Sequence, residues 1–122
     1  MNAREAPPFS EGSVWSIQFA RTKPRTTPAF LKQLGENWNP VMEEARRQEV
    51  ILSYRVLLSN LTGPEDWDVM ILIELKNMAA LDDYPERMQR VIEEVGGGGG
   101  CSSFLEPGSE YMRLVREVTF AK

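Results

Sequence analysis

A small group of polar side chains, set among apolar ones in the four predicted strands of this chain, could do chemistry. Glu74 and Arg55 fall in neighbouring strands, where a carboxylate and a guanidinium group can face each other across the sheet. Such a pair could be a base beside a substrate-anchoring cation, or an ion pair within the sheet or between two copies of the chain. Both interpretations stay open. The residues predicted to line a pocket are Gln18, Ser53, Arg55, Met70, Glu74 and Arg113.

The chain contains no histidine, and this absence excludes several kinds of catalytic and metal site. It removes the Ser-His-Asp and Cys-His nucleophile arrangements. It also removes haem held by histidine, iron held by histidines and a carboxylate, and zinc sites built on histidine. Because no dinucleotide-binding glycine motif is present either, we expect no cofactor: no haem, no tightly held metal and no flavin. Acid–base work must fall to carboxylates, tyrosine, lysine or a reactive substrate.

Two features near residue 100 carry no predicted chemistry. Cys101 is the only cysteine, so no internal disulfide can form, and without a histidine or a clear basic neighbour it is interpreted as an incidental thiol. The glycine run Gly96–Gly100 follows a predicted helix, and no Lys-Ser/Thr pair comes after it, which argues against a phosphate-binding loop. Such a run instead predicts a mobile connection.

Length and charge predict a single soluble domain that avoids polyanions. The chain has 122 residues, and we expect residues 1–12 to be a flexible lead-in and residues 13–122 to form one domain. The net charge is −4, from 14 basic and 18 acidic residues, so neither nucleic acid nor an anionic membrane is an expected partner. No apolar stretch approaches the ~20 residues of a membrane helix, and no targeting signal is visible. We therefore expect a cytoplasmic protein; an export signal already removed would leave no trace.

The predicted elements follow the order strand, helix, strand, strand, helix, strand. Alternating apolar and polar residues indicate the strands, and apolar residues at helical spacing indicate the helices. This βαββαβ order predicts an α+β, ferredoxin-like fold: a four-stranded antiparallel sheet, its first and third strands central, with two helices on one face. The predicted strands are Val14–Arg21, Val50–Asn60, Trp67–Lys76 and Glu110–Ala121, and the predicted helices are Pro28–Gln48 and Met78–Val95.

Proline interrupts both predicted helices. Pro40 removes a backbone hydrogen bond and should kink the first helix near Asn37–Asn39. This kink could open a ligand entrance between helix and sheet, or Trp38 could be a core residue beside a tolerated kink. Pro85 should divide the second helix into a first turn and a main body.

The two faces of the predicted sheet differ in character. The face expected to receive the helices consists of Trp15, Ile17, Phe19, Leu52, Tyr54, Val56, Val69, Ile71, Ile73, Met112, Leu114 and Val118. The opposite face mixes charged and apolar residues: Ser16, Gln18, Ser53, Arg55, Asp68, Met70, Leu72, Glu74, Arg113, Val115 and Glu117. Reversing the first strand would move Trp15 and Phe19 to the mixed face. An uncovered mixed face and two long edge strands predict a homodimer whose sheets face each other around a pocket.

Three stretches accompany this element order: VWSIQFARTKP in the first strand and turn, ENWNP in the long helix, and DWDVMILIELKNMAAL from the third strand into the second helix. From about Ser13 to Phe120 the chain resembles the dimeric α+β barrel superfamily, which includes antibiotic-biosynthesis-type monooxygenases, stress-responsive barrel proteins, NIPSNAP-like proteins and EthD-like proteins. The resemblance implies two ferredoxin-like sheets packed face to face, with small molecules bound between sheet and helices or inside the barrel. The haem-binding branch depends on a histidine that this chain lacks. None of the stretches is a catalytic signature, so no subfamily is assigned.

The predicted function is binding of a small molecule by a homodimeric barrel. The resemblance implies one specific activity, that of a cofactor-independent monooxygenase on a phenol- or quinol-like compound. Gln18, Arg55 and Glu74 are the residues of this chain that could orient or deprotonate the substrate, although they align with no family motif. The alternative is a ligand-binding or structural dimer without turnover. An ACT-like regulatory module is a further alternative, although such modules usually accompany an enzyme domain. An RNA-recognition domain is rejected, because the open face of the third predicted strand offers no aromatic residue.

Overall fold

The computed structural model describes residues 8–59, 67–97 and 102–120, and its elements follow the predicted order. The strands are β1 (Phe9–Ala20), β2 (Ser53–Leu58), β3 (Val69–Leu75) and β4 (Tyr111–Phe120). The helices are α1 (Thr27–Gln33), α2 (Asn39–Arg47) and α3 (Tyr84–Val95), with a π-helical segment at Leu34–Trp38 and 3-10 turns at Met78–Leu81 and Ser102–Phe104. All strands pair antiparallel in the order β2-β3-β1-β4, which confirms the ferredoxin-like fold and the two central strands.

Strand β1 begins at Phe9 rather than at the predicted Val14. Phe9 pairs with Phe120, and a shift of register between Glu11 and Val14 marks a β-bulge, where β1 accommodates an extra residue. Residues 9–12 therefore belong to the strand and not to a flexible lead-in. Residues 1–7 lie outside the described ranges.

The first strand presents the opposite face to the one predicted. Val14 and Ala20 are 2% and 3% exposed and fill the core beneath the helices. Ser16 and Gln18 lie on the same face of β1 as Val14 and Ala20. The side chain of Gln18 extends toward the start of β4, where its Nε2 donates to Glu110 Oε1 at 3.1 Å. Because side chains alternate along a strand, the other residues of β1 lie on the open face of the sheet. Those residues are Trp15, Ile17 and Phe19.

The physical reason for this error is the shape of the space under the helices. The prediction placed the bulkiest residues of β1 in the core, as the size of their apolar surface suggests. The core beside β1 is instead filled from the helix side, by Phe30 and Leu34, so that only the small Ala20 fits against them. The large residues of β1 are left for the face that the helices do not cover.

Proline shapes both helical regions as predicted. Before Pro40 the first helix widens into the π-helical segment, in which the Asn39 N–H donates to the Leu34 carbonyl oxygen. This wider turn absorbs the kink, since Pro40 has no N–H to donate. Pro85 stands at the start of α3, after a separate 3-10 turn. Gly96 ends α3 in the left-handed region, with φ 77°, while residues 98–101, with Cys101 and most of the glycine run, lie outside the described ranges.

The core lies between the helices and the β2–β3–β1 part of the sheet, in two clusters. One cluster joins α2 and α3 to the end of β3 and to Val50 and Ile51, which are buried just before β2 begins. The other joins α1 and the π-helical segment to Ala20, Val69 and Leu105. Val50 and Ile51 were predicted as strand residues, but they enter the core as a loop between α2 and β2.

Strand β4 is exposed along its whole length, from Tyr111 to Phe120. Its apolar residues on the helix side, Met112, Leu114 and Val118, were predicted to lie under the helices, yet each is at least 43% exposed. Phe120 at the end of the strand is 77% exposed. In a single copy, β4 therefore presents apolar side chains from both of its faces and one unpaired edge.

Among the helices that the structure describes, none is long and apolar enough to span a membrane.

Candidate functional site

A mainly apolar cleft of about 200 Å³ lies between β2 and the π-helical segment. One wall of the cleft is the indole of Trp38, which meets the ring of Tyr54 edge to face with centroids 5.4 Å apart. The π-helical turn places Gly35 and Trp38 on this wall, and turns of this kind often occur at functional sites. The cleft is lined by Leu31, Leu34, Gly35, Trp38, Asn39, Tyr54 and Val56.

The polar end of the cleft is a chain of four side chains. The Tyr54 hydroxyl contacts the side-chain oxygen of Asn39 and lies 2.7 Å from Glu43 Oε2. The Glu43 carboxylate also accepts from Arg46, whose Nη2 lies 2.9 Å from Oε1. The sequence sets this chain up locally, because Asn39, Glu43 and Arg46 lie one helical turn apart on α2 and share one side.

The Tyr54 hydroxyl carries one proton and touches two acceptor oxygens, so it can donate to only one of them at a time. The carboxylate of Glu43 is the stronger acceptor, because it is ionised. Rotating the Asn39 amide by half a turn would bring its nitrogen to the Tyr54 oxygen. The Tyr54 hydroxyl would then donate to Glu43 and accept from Asn39. The amide oxygen of Asn39 would then face the cleft as a free acceptor.

This arrangement shifts the pKa of each titratable partner away from proton transfer near neutral pH. Burial, and the hydrogen bond to Glu43, raise the pKa of Tyr54 to about 12. The hydrogen bonds from Arg46 and then from Tyr54 hold the pKa of Glu43 below its ordinary value. Tyr54 therefore stays protonated and Glu43 stays charged and weakly basic, so the chain suits holding and orienting a ligand more than taking its proton.

The sequence-predicted pocket residues lie elsewhere, and the structure brings five of the six together on the open face. Gln18 is the exception, since it lies on the helix side of β1 beside Glu110. The prediction that Gln18 shares a pocket face with Arg55 and Glu74 was wrong, because the whole first strand is reversed. The five residues that share the open face are Ser53, Arg55, Met70, Glu74 and Arg113.

The open face does not pair Glu74 with Arg55 in a single chain. The residue directly opposite Glu74 on β2 is Ser53, whose hydroxyl donates to Glu74 Oε1 at 2.7 Å. Arg55 is opposite Leu72 and forms no ion pair with any residue in the described ranges. A base–cation pair within one copy is therefore absent from these strands, and Arg55 is exposed with its charge unmatched.

Arg113 packs against a group of aromatic side chains at one end of the open face. Its guanidinium carbon lies 5.0 Å from the centre of the Tyr111 ring, which stacks on Phe19 at 4.8 Å. Phe19 in turn meets Trp67 edge to face at 5.3 Å. The open face therefore carries aromatic residues from β1 and β4, and the net charge of −4 is the feature that disfavours an RNA-recognition domain.

Sequence reasoning considered Trp38 and Asn39 as a ligand entrance but missed Tyr54 and Glu43 as their partners. Tyr54 was assigned to the core because it stands on the apolar side of β2. A signal was nevertheless available: a tyrosine on a buried face needs a partner for its hydroxyl group. Within the described residues, no three carboxylates or cysteines stand close enough to hold a metal ion.

No protein-family model matches the chain, and no curated protein matches it. Solved structures do share its fold. A NIPSNAP family protein of unknown function from Agrobacterium tumefaciens superposes with a TM-score of 0.60 at 11% identity, covering 89% of this chain and 91% of the other. A protein from Shewanella oneidensis gives a TM-score of 0.58 at 16% identity, covering 91% of this chain and 98% of the other.

A third solved structure is described as a dimeric ferredoxin-like protein, from an uncultured marine organism. It superposes with a TM-score of 0.54 at 14% identity, covering 93% of this chain and 91% of the other. Likeness at such identities concerns the fold alone. At that level the predicted ferredoxin-like α+β fold is confirmed.

Proposed function

We propose that this protein is a homodimer that binds a small aromatic molecule, and that the cleft beside Trp38 is its ligand site. The observation that carries the proposal is the combination of an apolar cleft with a polar end that offers hydrogen-bond partners at Asn39 and Tyr54. Clefts of this composition are the usual form of small-molecule sites in proteins.

The dimer is supported by the open face and by β4. The open face carries Arg55 and Arg113 together with Glu74 and Glu117, so its charges balance and a twofold axis could set arginines of one copy against carboxylates of the other. Between these charges lie apolar side chains that no element within the described residues covers, such as Leu57 and Val115. In the dimer, Ser53, Arg55, Met70, Glu74 and Arg113 would line the space between the two sheets.

The ligand is a single-ring phenol or quinol. A volume of about 200 Å³ accommodates one substituted ring and little more. The ring would stack near Trp38, and its hydroxyl group would donate to the amide oxygen of Asn39. An anionic ligand would be unfavourable beside the charged Glu43. A neutral phenol therefore fits both the size and the charge of the cleft.

Oxygenation of such a phenol without a cofactor is the second candidate function. In that reaction the phenol and dioxygen give a quinone and water. One oxygen atom replaces a ring hydrogen and becomes the second carbonyl oxygen, the other leaves as water with that ring hydrogen and the hydroxyl hydrogen, and the phenol loses four electrons. The feature that favours it is the pair of hydrogen-bonding side chains at the polar end of the cleft, Asn39 and Tyr54, which could orient the hydroxyl group of a phenol. The weak basicity of Glu43 favours binding without turnover.

The binding proposal is tested by titrating phenol into the protein and following tryptophan fluorescence, with heat of binding as a second readout. A Cβ at Gly35 would meet no atom within 4 Å, so Gly35→Met should fold and fill the cleft with its side chain. We expect Gly35→Met to lower the affinity for phenol at least about tenfold, and Gly35→Ala to keep that affinity within about threefold of wild type. Anisole, which cannot donate, should bind about threefold to tenfold more weakly than phenol. Equal affinity of phenol for wild type and Gly35→Met would contradict the cleft as the site.

Oxygen consumption separates the two candidate functions. Turnover predicts uptake of oxygen with a quinol panel, at a rate that falls in Gly35→Met and in Asn39→Ala. Binding without turnover predicts saturable binding and the uncatalysed rate of uptake. Glu74→Gln and Arg55→Ala test the open-face residues in the same assay, and loss of uptake in these variants alone would move the reaction into the space between the sheets.

A further inference from the structure

A second depression, independent of the cleft, lies at the other end of the helix layer. It has a volume of about 580 Å³ and forms where α2 ends, β2 begins and α3 passes alongside. It shares no lining residue with the cleft. Its lining consists of Glu49, Val50, Ile51, Leu52, Lys76, Ala80 and Arg87. A shallower hollow of about 240 Å³ continues it along α3 and shares Val50 and Arg87.

The depression combines an apolar floor with cations that have no acidic partner. Val50 and Ile51 form the floor, beside the half-exposed Leu52. Lys76 and Arg87 stand at its rim, and Arg90 lines the hollow beside it. Within the ranges that the structure describes, none of these three cations forms an ion pair. In a chain with an excess of acidic residues, three cations without an ion pair around one depression favour an anion there.

One hydrogen bond fixes the guanidinium group of Arg87 at the side of the depression. Its Nη2 donates to the Gln48 carbonyl oxygen at 3.4 Å, at the C-terminal end of α2, where carbonyl groups favour a cation. The remaining donors of its guanidinium group point to no acceptor in the described part of the chain. A planar group fixed at one corner, with donors left over, is suited to a carboxylate that accepts two hydrogen bonds.

The charge of the rim limits the ligand to a single negative charge. Glu49 lines the depression and Glu94 the hollow, and Glu94 is held there by Gln48 Nε2 at 2.6 Å. A doubly charged phosphate would meet these carboxylates as well as the cations. We propose that the depression binds an amphiphilic monocarboxylate, with its carboxylate at Lys76 and Arg87 and its hydrocarbon chain on Val50, Ile51 and Leu52.

The proposal is tested by isothermal titration with octanoate, below the concentration at which it forms micelles, in low and high salt. We expect saturable binding with one ligand per protomer, weaker in high salt, and at least about tenfold weaker binding of 1-octanol, which lacks the charge. Arg87→Gln and Lys76→Gln should each weaken octanoate about threefold to tenfold. Arg90→Gln should weaken it less. Lys32→Gln, an exposed cation on α1 away from the depression, should leave it unchanged.

Several results would overturn the proposal. They are the absence of octanoate binding at millimolar concentration, equal binding of 1-octanol, unchanged binding in both Arg87→Gln and Lys76→Gln, and displacement of octanoate by phenol. The last result would assign the ligand to the cleft beside Trp38 instead. If Arg87→Gln unfolds, as judged by circular dichroism, the exposed Lys76 supplies the decisive variant. Tighter binding of inorganic phosphate than of octanoate would show that the depression prefers a doubly charged phosphate, and this would contradict the proposal of a ligand with a single negative charge.

Discussion

Tyr54 links the sheet to the helix layer through one hydroxyl group. The hydroxyl reaches Asn39 and Glu43 on α2, and Arg46 holds the far side of the Glu43 carboxylate. The network therefore fixes the polar end of the cleft, while its apolar walls are set by Trp38 and its neighbours. Because each partner is satisfied by the next, removal of a single member leaves another group unpaired.

Tyr54 makes the stability of the protein sensitive to alkaline pH. Its pKa is raised from 10.0 to about 12 in the folded chain. The unfolded chain therefore loses this proton first, so the contribution of Tyr54 to the free energy of unfolding is complete below pH 10 and is lost as the pH rises from about 10 to about 12. We expect the free energy of unfolding of Tyr54→Phe to fall less steeply with rising pH, between about 10 and about 12, than that of wild type.

The measurement is chemical denaturation at several alkaline pH values, combined with an absorbance titration of tyrosinate. Burial also raises the pKa of Tyr84, so the wild-type dependence is the sum of two residues and Tyr54→Phe should retain part of it. Glu43→Gln should lower the pKa of Tyr54 toward its ordinary value, because the charge that opposes the tyrosinate is removed. An identical alkaline dependence in Tyr54→Phe and wild type would refute this account of the network.

At the scale of elements, the π-helical segment and the end of α3 place two glycines in opposite situations. A Cβ at Gly35 would meet nothing within 4 Å, whereas a Cβ at Gly97 would lie 2.9 Å from the carbonyl oxygen of Asn37. We expect Gly35→Ala to raise the free energy of unfolding by about 0.5–1 kcal/mol, because alanine loses less backbone entropy in a helix. We expect Gly97→Ala to lower it by about 1–3 kcal/mol, because backbone atoms must move apart.

Urea denaturation at neutral pH measures both changes in one experiment, and each variant is the control for the other. Gly97→Ala should also disturb the first helix where it bends, since Asn37 belongs to the π-helical segment. A stabilising Gly97→Ala would show that the end of α3 does not lie against that bend.

The elements themselves were largely predictable from the sequence, and the face of β1 was not. Pro40 and Pro85 predict the two helical interruptions, because proline has no backbone N–H and cannot donate a hydrogen bond within a helix. The side of β1 depends on what packs over it, and Phe30 and Leu34 come from α1 and the π-helical segment to fill that space. Alternation marks two faces without telling which is inside when both carry large residues.

The candidate site follows the same division. The candidate residues on β2, β3 and β4 do share the open face, because they follow the alternation of their strands. That they line a pocket stays a prediction. Gln18 was misplaced together with the rest of β1. The cleft depends on a contact between Tyr54 on β2 and Glu43 on α2, and no spacing along the sequence reports a contact between separate elements.

At the scale of the whole molecule, the exposed sheet face and β4 are the basis of the proposed homodimer. The apolar side chains of β4 are exposed on both faces of the strand. A long exposed edge of this kind pairs readily with another strand, and a second copy can meet both the edge and the face. Each copy would then retain its own cleft beside Trp38.

The charges of the open face predict which substitutions weaken the dimer. Arg113→Ala and Arg55→Ala should each raise the dissociation constant of the dimer about threefold to tenfold, since each removes a cation that would meet a carboxylate of the second copy. Lys32→Ala, on the exposed side of α1, should not change it. Sedimentation equilibrium across a range of concentrations gives all three constants. Equal dissociation constants for the three variants would contradict the face-to-face arrangement.

We propose that a second copy covers the open sheet face, and the mass of the protein in solution decides whether it does. Light scattering at micromolar concentration should give twice the chain mass of 13.9 kDa. Replacing Leu72 by glutamate, in the middle of the open face, should shift the mass toward that of one chain without unfolding it. A wild-type protein that scatters as a stable 13.9 kDa monomer would contradict the account.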